Sequence, residues 1–533
     1  MATFAPYAPT TTITRAMFNF DVVVGATNYT YSGPIRVSVS ASFTLDEQAA
    51  LHFDTEIFTN GAAEVAWAPT TLTHIGQTLD LIQQFVNVDF QWQGDIGTRV
   101  GNSVVNPAEV GAADLADINI SLITRADTGW VGLAGGNTDE ELGYVGAAGD
   151  VFVNEHFLSE TTFDIGTPSR TTLMHELLHS LGLSHPHSDY TNGVPEITAD
   201  YAATRTLGFD KLGFHTATAA DMYKEYFSIM SYADNSPSDE PHTPMILDVI
   251  ALQQAYGEGT GTQTAGDDTI SAGNSGYRVY FDKGGVDTID LSSYKTGVYL
   301  HMGVTITGAA HLVGVAMSTE DALRLSDAAG GPQNLRWFYG EYENATGSAA
   351  ADKLIGNGLA NHISGLAGAD KIYGGNGNDV LDGGAGADLL AGGAGGDILS
   401  GAAGNDALTG GAGSDKLSGG TGKDIFLFDK YSFSGSDQIL DFHAVDDTIK
   451  IENALFSKLL INGALAADNY RESRTGLAHD GNDFILYNTR SGGLLYDADG
   501  NGAGHAIHFA TLYDGHGGHP SASQLSPLDF VIV

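Results

Sequence analysis

Cysteine is missing from all 533 residues. Disulfides and thiolate metal sites are therefore excluded, as is a latency switch built on a thiol. Basic side chains are scarce: 23 Lys and Arg face 65 Asp and Glu, a formal net charge of −42. A chain of that sign repels nucleic acid phosphates and anionic membranes, and it attracts cations. No uninterrupted apolar run reaches about 18 residues, so no helical membrane span is expected. The N-terminus, MATFAPYAPTTTITRAMFNF, has no basic flank followed by an apolar core, so it does not read as a Sec-type signal peptide. Proline is absent between residues 333 and 519.

What the chain has in excess is glycine, with 70 residues, roughly double ordinary usage. Its distribution divides the sequence. Residues 1–20 read as a short propeptide or leader. Residues 21–256 have mixed composition. A β-rich stretch covers 21–42, helical patterns follow at 44–53 and 74–85, and 113–122 and 149–154 read as buried strands. Such alternation predicts an α/β domain. Residues 257–346 turn to short β-rich runs between Gly and Asp turns, an all-β lead-in. Residues 347–428 carry a strict period of nine, and 429–533 form a last β zone.

The period shows in GNGNDVLDG, GAGADLLAG, GAGGDILSG, AAGNDALTG, GAGSDKLSG and GTGKDIFLF, beginning at Gly375. Aspartates stand at Asp370, Asp379, Asp388, Asp397, Asp406, Asp415 and Asp424, each followed two residues later by an apolar residue. A flexible glycine linker has no reason to place an apolar side chain every nine residues, and a collagen helix needs a period of three. G-G-x-G-x-D-x-U-x is the signature of the calcium-binding nonapeptide β-helix. Glycine permits the tight turns, and the short x-U-x strand buries one side chain. Aspartate and the turn carbonyls supply the hard oxygens that Ca²⁺ requires. The candidate turn positions are Gly375, Gly377, Gly384, Gly386, Gly393, Gly395, Gly404, Gly411 and Gly413. If two nonapeptides make one coil, aspartates 18 apart stack at about 4.8 Å. Two unit charges there repel by roughly 3 kcal/mol at an effective dielectric of 20. Such a column is expected to order only with bound cations.

This zone resembles the RTX β-roll. Leu366 and Ala402 depart from the motif by replacing the second glycine of their repeats. FDKGGVDTIDLSSY (281–294) resembles a divergent calcium turn of the same family, with Gly284, Gly285, Asp287 and Asp290 as candidates. DADGNG (497–502) begins like an EF-hand loop, but His508 stands where the twelfth-position glutamate belongs, which favours a hairpin turn.

The most specific motif is HELLHSLGLSH. On a helix, a spacing of four puts His175 and His179 on one face, about 6 Å apart along the axis. Thr167 and Pro168 suit the N-cap and first helical position. His185, six residues further, would point about 240° away on a continued helix. The helix must therefore stop, and Gly182 can end it in the left-handed conformation. Zinc suits three neutral imidazoles with a fourth position left for water. Glu176 is then the general base for a water whose pKa the metal lowers.

The string is similar to the metzincin signature. SIMSY (228–232) resembles the methionine turn of that family, which implies Met230 beneath the metal and Tyr232 as a zinc ligand able to swing away and stabilise the oxyanion. HSLGLSHPH, and TPMILDVIALQQAYG at 243–257, resemble the serralysin versions. The implied architecture is an α/β metzincin catalytic domain followed by an all-β parallel β-roll with β-sandwich character. Ala233 departs from the tryptophan often found after the tyrosine, and the stretch between His185 and Met230 is longer than usual. His187 has no motif role. His505, His508, His516 and His519 read as strand and loop residues or as a second metal site.

The C-terminal DFVIV (529–533) resembles an uncleaved type I secretion signal and also suits a last strand. The resemblance implies a monomeric zinc endopeptidase exported from a Gram-negative bacterium through a type I apparatus. It would act on polypeptides bound extended, against an edge strand near 140–148. The competing reading is a calcium-dependent surface or adhesive protein with a vestigial protease domain.

Overall fold

The computed structural model describes most of residues 241–533, except 263–264, 274–275, 307–308, 325–331, 333, 430–433, 455, 460–461, 503 and 522–523. Before residue 241 it describes 3–6, 29–32, 35–40, 42–45, 63–64, 68–95, 98–101, 118–124, 132–134, 150–154, 163–164, 167–181, 183 and 228–229. The described residues are mostly β.

The N-terminal part is built on a sheet ordered Phe90–Asp95, Ile35–Ser40, Ile118–Thr124, Asp150–Asn154, Gly132–Ala134. The first four strands are parallel and the edge strand Gly132–Ala134 is antiparallel. Residues 140–148, where an edge strand was expected, lie outside the described residues. Helix α1 (Pro69–Phe85) starts on proline and buries Ile75, Leu79, Ile82 and Phe85 along one stripe. The helical pattern over 44–53 is overridden at its start, where Ser42–Leu45 is a strand paired in parallel with Thr98–Gly101. Helix α2 (Pro168–Ser180) carries the histidine motif, and α3 (Ile246–Tyr256) follows the Pro-rich segment 241–244. Apolar on nearly every side, α3 is buried over its first eight residues. It stops at Gly257, whose φ of 86° only glycine adopts cheaply. Among the described residues no helix is long and apolar enough to cross a membrane.

From residue 269 the chain winds into two facing sheets of twelve strands each. In the repeat zone each strand pairs in parallel with the strand one coil later. Lys371 faces Leu389 and Leu389 faces Ala407 in one sheet, while Val380 faces Ile398 and Ile398 faces Lys416 in the other. The nine-residue period is therefore half a coil, as the spacing predicts. Ile372, Leu381, Leu390, Leu399, Leu408, Leu417 and Phe426 all point inward and are buried in one apolar cluster. Each contributes about 2 kcal/mol of burial. Leu366 and Ala402, in place of motif glycines, adopt φ of 73° and 69°. A side chain in that left-handed region costs about 1–2 kcal/mol.

Before the repeats, four strands of one sheet are apolar on both faces. Tyr277, Val279 and Phe281, with Val313, Val315, Met317, Leu335, Trp337 and Tyr339, join the same cluster as α1, α2 and α3. Their alternate neighbours Tyr280, Leu300, Ala316 and Phe338 face the interior of the roll. The apolar core thus runs across residue 257. The C-terminal Phe530–Ile532 is a strand paired in parallel with Thr448–Ile451.

Candidate metal centres

Helix α2 is capped as its sequence dictates. The Thr167 hydroxyl accepts from the Arg170 N–H at 3.4 Å. At the other end the Leu183 N–H reaches Leu178 O at 3.1 Å, the six-to-one bond of a Schellman termination. His175 and His179 are buried or nearly so on one face, with ring centroids 4.8 Å apart and planes at 82°. The Nδ1 of His175 bonds Ile229 O at 2.8 Å, and the Nδ1 of His179 bonds Leu183 O at 2.7 Å. A carbonyl only accepts, so each Nδ1 carries the proton and each Nε2 is the lone-pair nitrogen. That is the outer bonding which orients metal-ligating imidazoles. Burial, reinforced by His175, pushes the His179 imidazole down to about 3 and keeps it neutral. Glu176, the residue after His175, is buried as well. The donor set fits zinc.

The carbonyl that holds His175 belongs to the segment SIMSY. Its described residues, Ser228 and Ile229, are tied to α3 by Asp248. Gly182, His185, His187, Met230 and Tyr232 lie outside the described residues.

The repeat aspartates form two interleaved columns. The Oδ1 of Asp370, Asp388, Asp406 and Asp424 accepts from the backbone N–H of Asp352, Asp370, Asp388 and Asp406, at 2.8–2.9 Å. Asp379, Asp397 and Asp415 do the same for Asn361, Asp379 and Asp397. In all seven the other oxygen, Oδ2, is buried with no hydrogen-bond partner. An orphaned buried acceptor costs about 1–3 kcal/mol, more when charged. Burial pushes the Asp370 carboxyl up to about 7 and those of Asp379, Asp397 and Asp406 up to about 6. Columns of inward carboxylate oxygens lacking donors are a hard-ligand array suited to calcium.

The turn glycines all have positive φ: Gly375, Gly377, Gly384, Gly386, Gly393, Gly395, Gly404, Gly411 and Gly413. Close approach adds a second constraint, since a Cβ on Gly395 would strike Gly377 O and one on Gly404 would strike Gly386 O. The column also continues past the repeats. Asp437 accepts from the Asp415 N–H at 3.1 Å and Asp447 from that of Asp424 at 3.0 Å.

The divergent turn follows the same logic. Asp287 accepts from the Asp268 N–H at 2.8 Å, and its own N–H donates to Glu343 at 2.9 Å. The orphaned oxygens are Asp287 Oδ2, Asp282 Oδ1 and the Tyr342 hydroxyl. Burial raises the Asp287 carboxyl to about 6. Gly284 and Gly285 make the turn at φ of 125° and 136°. Asp290 instead bonds Ser271 and Ser292. Asp282, Tyr342 and Glu343 escape a motif search. The 19-residue step from Asp268 to Asp287, close to one coil, was the available signal.

The hairpin reading of 497–502 agrees with the structure, in which Gly493–Tyr496 pairs antiparallel with Ile507–Leu512. Among the described residues, His505, His508, His516 and His519 belong to no group of three that could hold a metal ion; the last three are held elsewhere. They bond Ser436, Asp514 O and Leu512 O respectively.

Comparison with known proteins agrees with this geometry. Residues 355–390 and 391–426 match the RTX calcium-binding nonapeptide repeat (4 copies). The chain is 30% identical over 224 residues to the metallopeptidase AprA of Pseudomonas marginalis, covering 39% of this chain and 41% of that protein. It is 32% identical over 233 residues to the metalloprotease AprA of Pseudomonas entomophila, with coverage of 39% and 41%. It is 28% identical over 162 residues to a serralysin of Proteus mirabilis, with coverage of 27% and 30%. The matched part thus spans about 41% of the length of the first two relatives. Zinc is the metal that serralysins imply, and calcium is the ion that RTX repeats imply. In its catalytic region and its repeats, the chain is similar to serralysin-type metalloproteases bearing RTX repeats.

Proposed function

We propose that the protein is a secreted zinc endopeptidase whose roll folds around calcium. The observation that carries this reading is the pair of imidazoles one helical turn apart, each with its Nδ1–H held by a carbonyl, with Glu176 buried on the same helix. His175 and His179 hold the zinc ion, and His185, delivered by a turn at Gly182, completes the set. A bound zinc ion supplies Lewis-acid polarisation of a water and of the scissile carbonyl. Glu176 takes the proton of the attacking water and returns it to the leaving amine. By the family resemblance, Tyr232 would be a further zinc ligand and a donor to the oxyanion, and Met230 would be the methionine of the turn.

In the roll, Asp287 and the aspartates from Asp370 to Asp424 bind calcium with the carbonyls of the turn glycines. Asp282 and Glu343 join Asp287. Extracellular modules bind calcium at roughly 0.1–1 mM, so the chain leaves the cell unfolded through a type I apparatus and folds outside, as a monomer. Substrates are polypeptides.

Metal analysis and casein hydrolysis test the proposal together. One zinc per chain is expected in the wild type and in Glu176→Ala, with hydrolysis lost only in the variant. A variant as active as the wild type would remove the mechanism. A wild type that binds calcium but cleaves nothing would favour a surface or adhesive protein.

A further inference from the structure

We propose that Asp248 is a positioning residue for His175, acting through the Ile229 carbonyl. This rests on the zinc reading above. Asp248 is the third residue of α3 and is fully buried. All its hydrogen-bond partners are donors. Oδ1 accepts from the Ser228 hydroxyl at 2.6 Å, and Oδ2 accepts from the Ile229 N–H at 2.9 Å and the Met245 N–H at 2.8 Å.

An ordinary helix cap explains only the Met245 bond, because a side chain at the third position commonly reaches back to the N-cap N–H. The other two bonds run about 20 residues back in sequence, to Ser228 and Ile229. Ile229 is the residue whose carbonyl lies 2.8 Å from His175 Nδ1. One carboxylate therefore fixes the N–H side of Ile229 while its carbonyl side fixes the imidazole.

Asp248 is itself anchored independently of the metal. Met245 follows a segment bound to the roll, with the His242 N–H on Tyr277 O at 2.9 Å and the Val279 N–H on Thr243 Oγ1 at 2.8 Å. The same segment accepts from helix α2, the Thr171 hydroxyl bonding Pro241 O at 3.3 Å. The roll edge, α2 and the Ile229 turn thus meet around one buried carboxyl group. A buried carboxylate without a cationic partner costs several kcal/mol unless its hydrogen bonds are well made. Its retention here suits the task of holding two backbone N–H groups and a hydroxyl in one fixed geometry.

Asp248→Leu keeps the volume but accepts from none of the three donors, whereas Asp248→Asn keeps both N–H acceptances on its amide oxygen and serves as the conservative control. The test uses the full calcium-loaded chain stripped of zinc. Zinc affinity is measured by chelator competition, and cobalt(II) absorption reports ligand geometry. For Asp248→Leu, zinc affinity should fall about tenfold, the low end of what outer-shell changes cost, while Asp248→Asn should stay close to the wild type. In Asp248→Leu the cobalt bands should shift, and kcat should fall with KM little changed. Ser228→Ala, which removes one donor, should weaken zinc by a smaller factor. If Asp248→Leu only lowers the melting temperature, with zinc affinity and cobalt spectrum as in the wild type, Asp248 is a helix cap and the proposal is overturned. Should Asp248→Leu fail to fold, Ser228→Ala decides: weaker zinc supports the role and unchanged zinc overturns it. A wild-type chain that binds no zinc would instead overturn the zinc reading itself.

Discussion

The catalytic part and the roll solve opposite problems with metal ligands. Around His175 the ligand-bearing helix sits in a continuous apolar core, and single long-range contacts orient its side chains, such as the bond to Ile229 across 54 residues. Nothing in that core needs an ion to become compact. In the roll the same 18-residue contact recurs coil after coil, and each half-coil puts an orphaned carboxylate oxygen inside. Stability there is a sum of neighbouring-repeat terms, each opposed by buried negative charge. On the reading proposed above, the difference teaches that zinc serves chemistry on a fold already made, while calcium makes the fold.

The largest expected effect separates the two metals directly. A zinc-selective chelator should abolish hydrolysis and leave the circular dichroism of the chain unchanged. A calcium chelator should remove most of the β signal. Because Trp337, Tyr339 and Val315 belong to the core shared with α1–α3, it should also lower the melting temperature of the catalytic part. Equal effects of the two chelators would erase the distinction.

Next in size, Glu176→Gln should lower kcat/KM by about 10²–10⁴, the range of general acid–base catalysis. Calcium affinity, read by titration, should stay unchanged.

Proton binding sharpens the comparison within the roll. Burial raises the folded-state carboxyls of Asp370 to about 7 and of Asp379, Asp397 and Asp406 to about 6. The unfolded chain releases these protons above about 4. Folding without calcium therefore takes up protons between those values. The stability these groups contribute is fully present below pH 4 and is lost as pH rises through 6 to 7. In chelator, the roll should show more β structure at pH 5 than at pH 8. In saturating calcium that dependence should vanish.

The smallest effect concerns the two broken repeats. Leu366→Gly and Ala402→Gly should each raise the stability of the calcium-loaded roll by about 1 kcal/mol, since both positions hold left-handed φ. Chemical denaturation would measure it, and a loss of stability would show that these side chains pack usefully.

Much of this was legible in the sequence because the relevant contacts are local or periodic. Thr167 and Pro168 announced the start of α2, and the leucine every nine residues announced an 18-residue coil. The strands that dock the roll on the catalytic core were harder to see. Strand Val298–Thr305 is buried on both faces over most of its length and reads as a plain apolar run without alternation. Asp248 looked like one polar residue at a helix start, because its Ser228 and Ile229 partners are distant in sequence. Glu343 reaches Asp287 only through the winding of the coil, whereas Asp282 lies in the same turn and was passed over. The helical pattern at 44–53 failed at Ser42–Leu45 because strand pairing with Thr98–Gly101 overrides local propensity.

Hydrogen–deuterium exchange on the full chain, with and without calcium, tests the central claim most directly. The amides of Asp388 and Asp397, which donate to Asp406 and Asp415, should be protected in calcium and should exchange fully once it is removed. Equal protection of residues 353–428 in both conditions would contradict the claim that calcium makes this half of the fold.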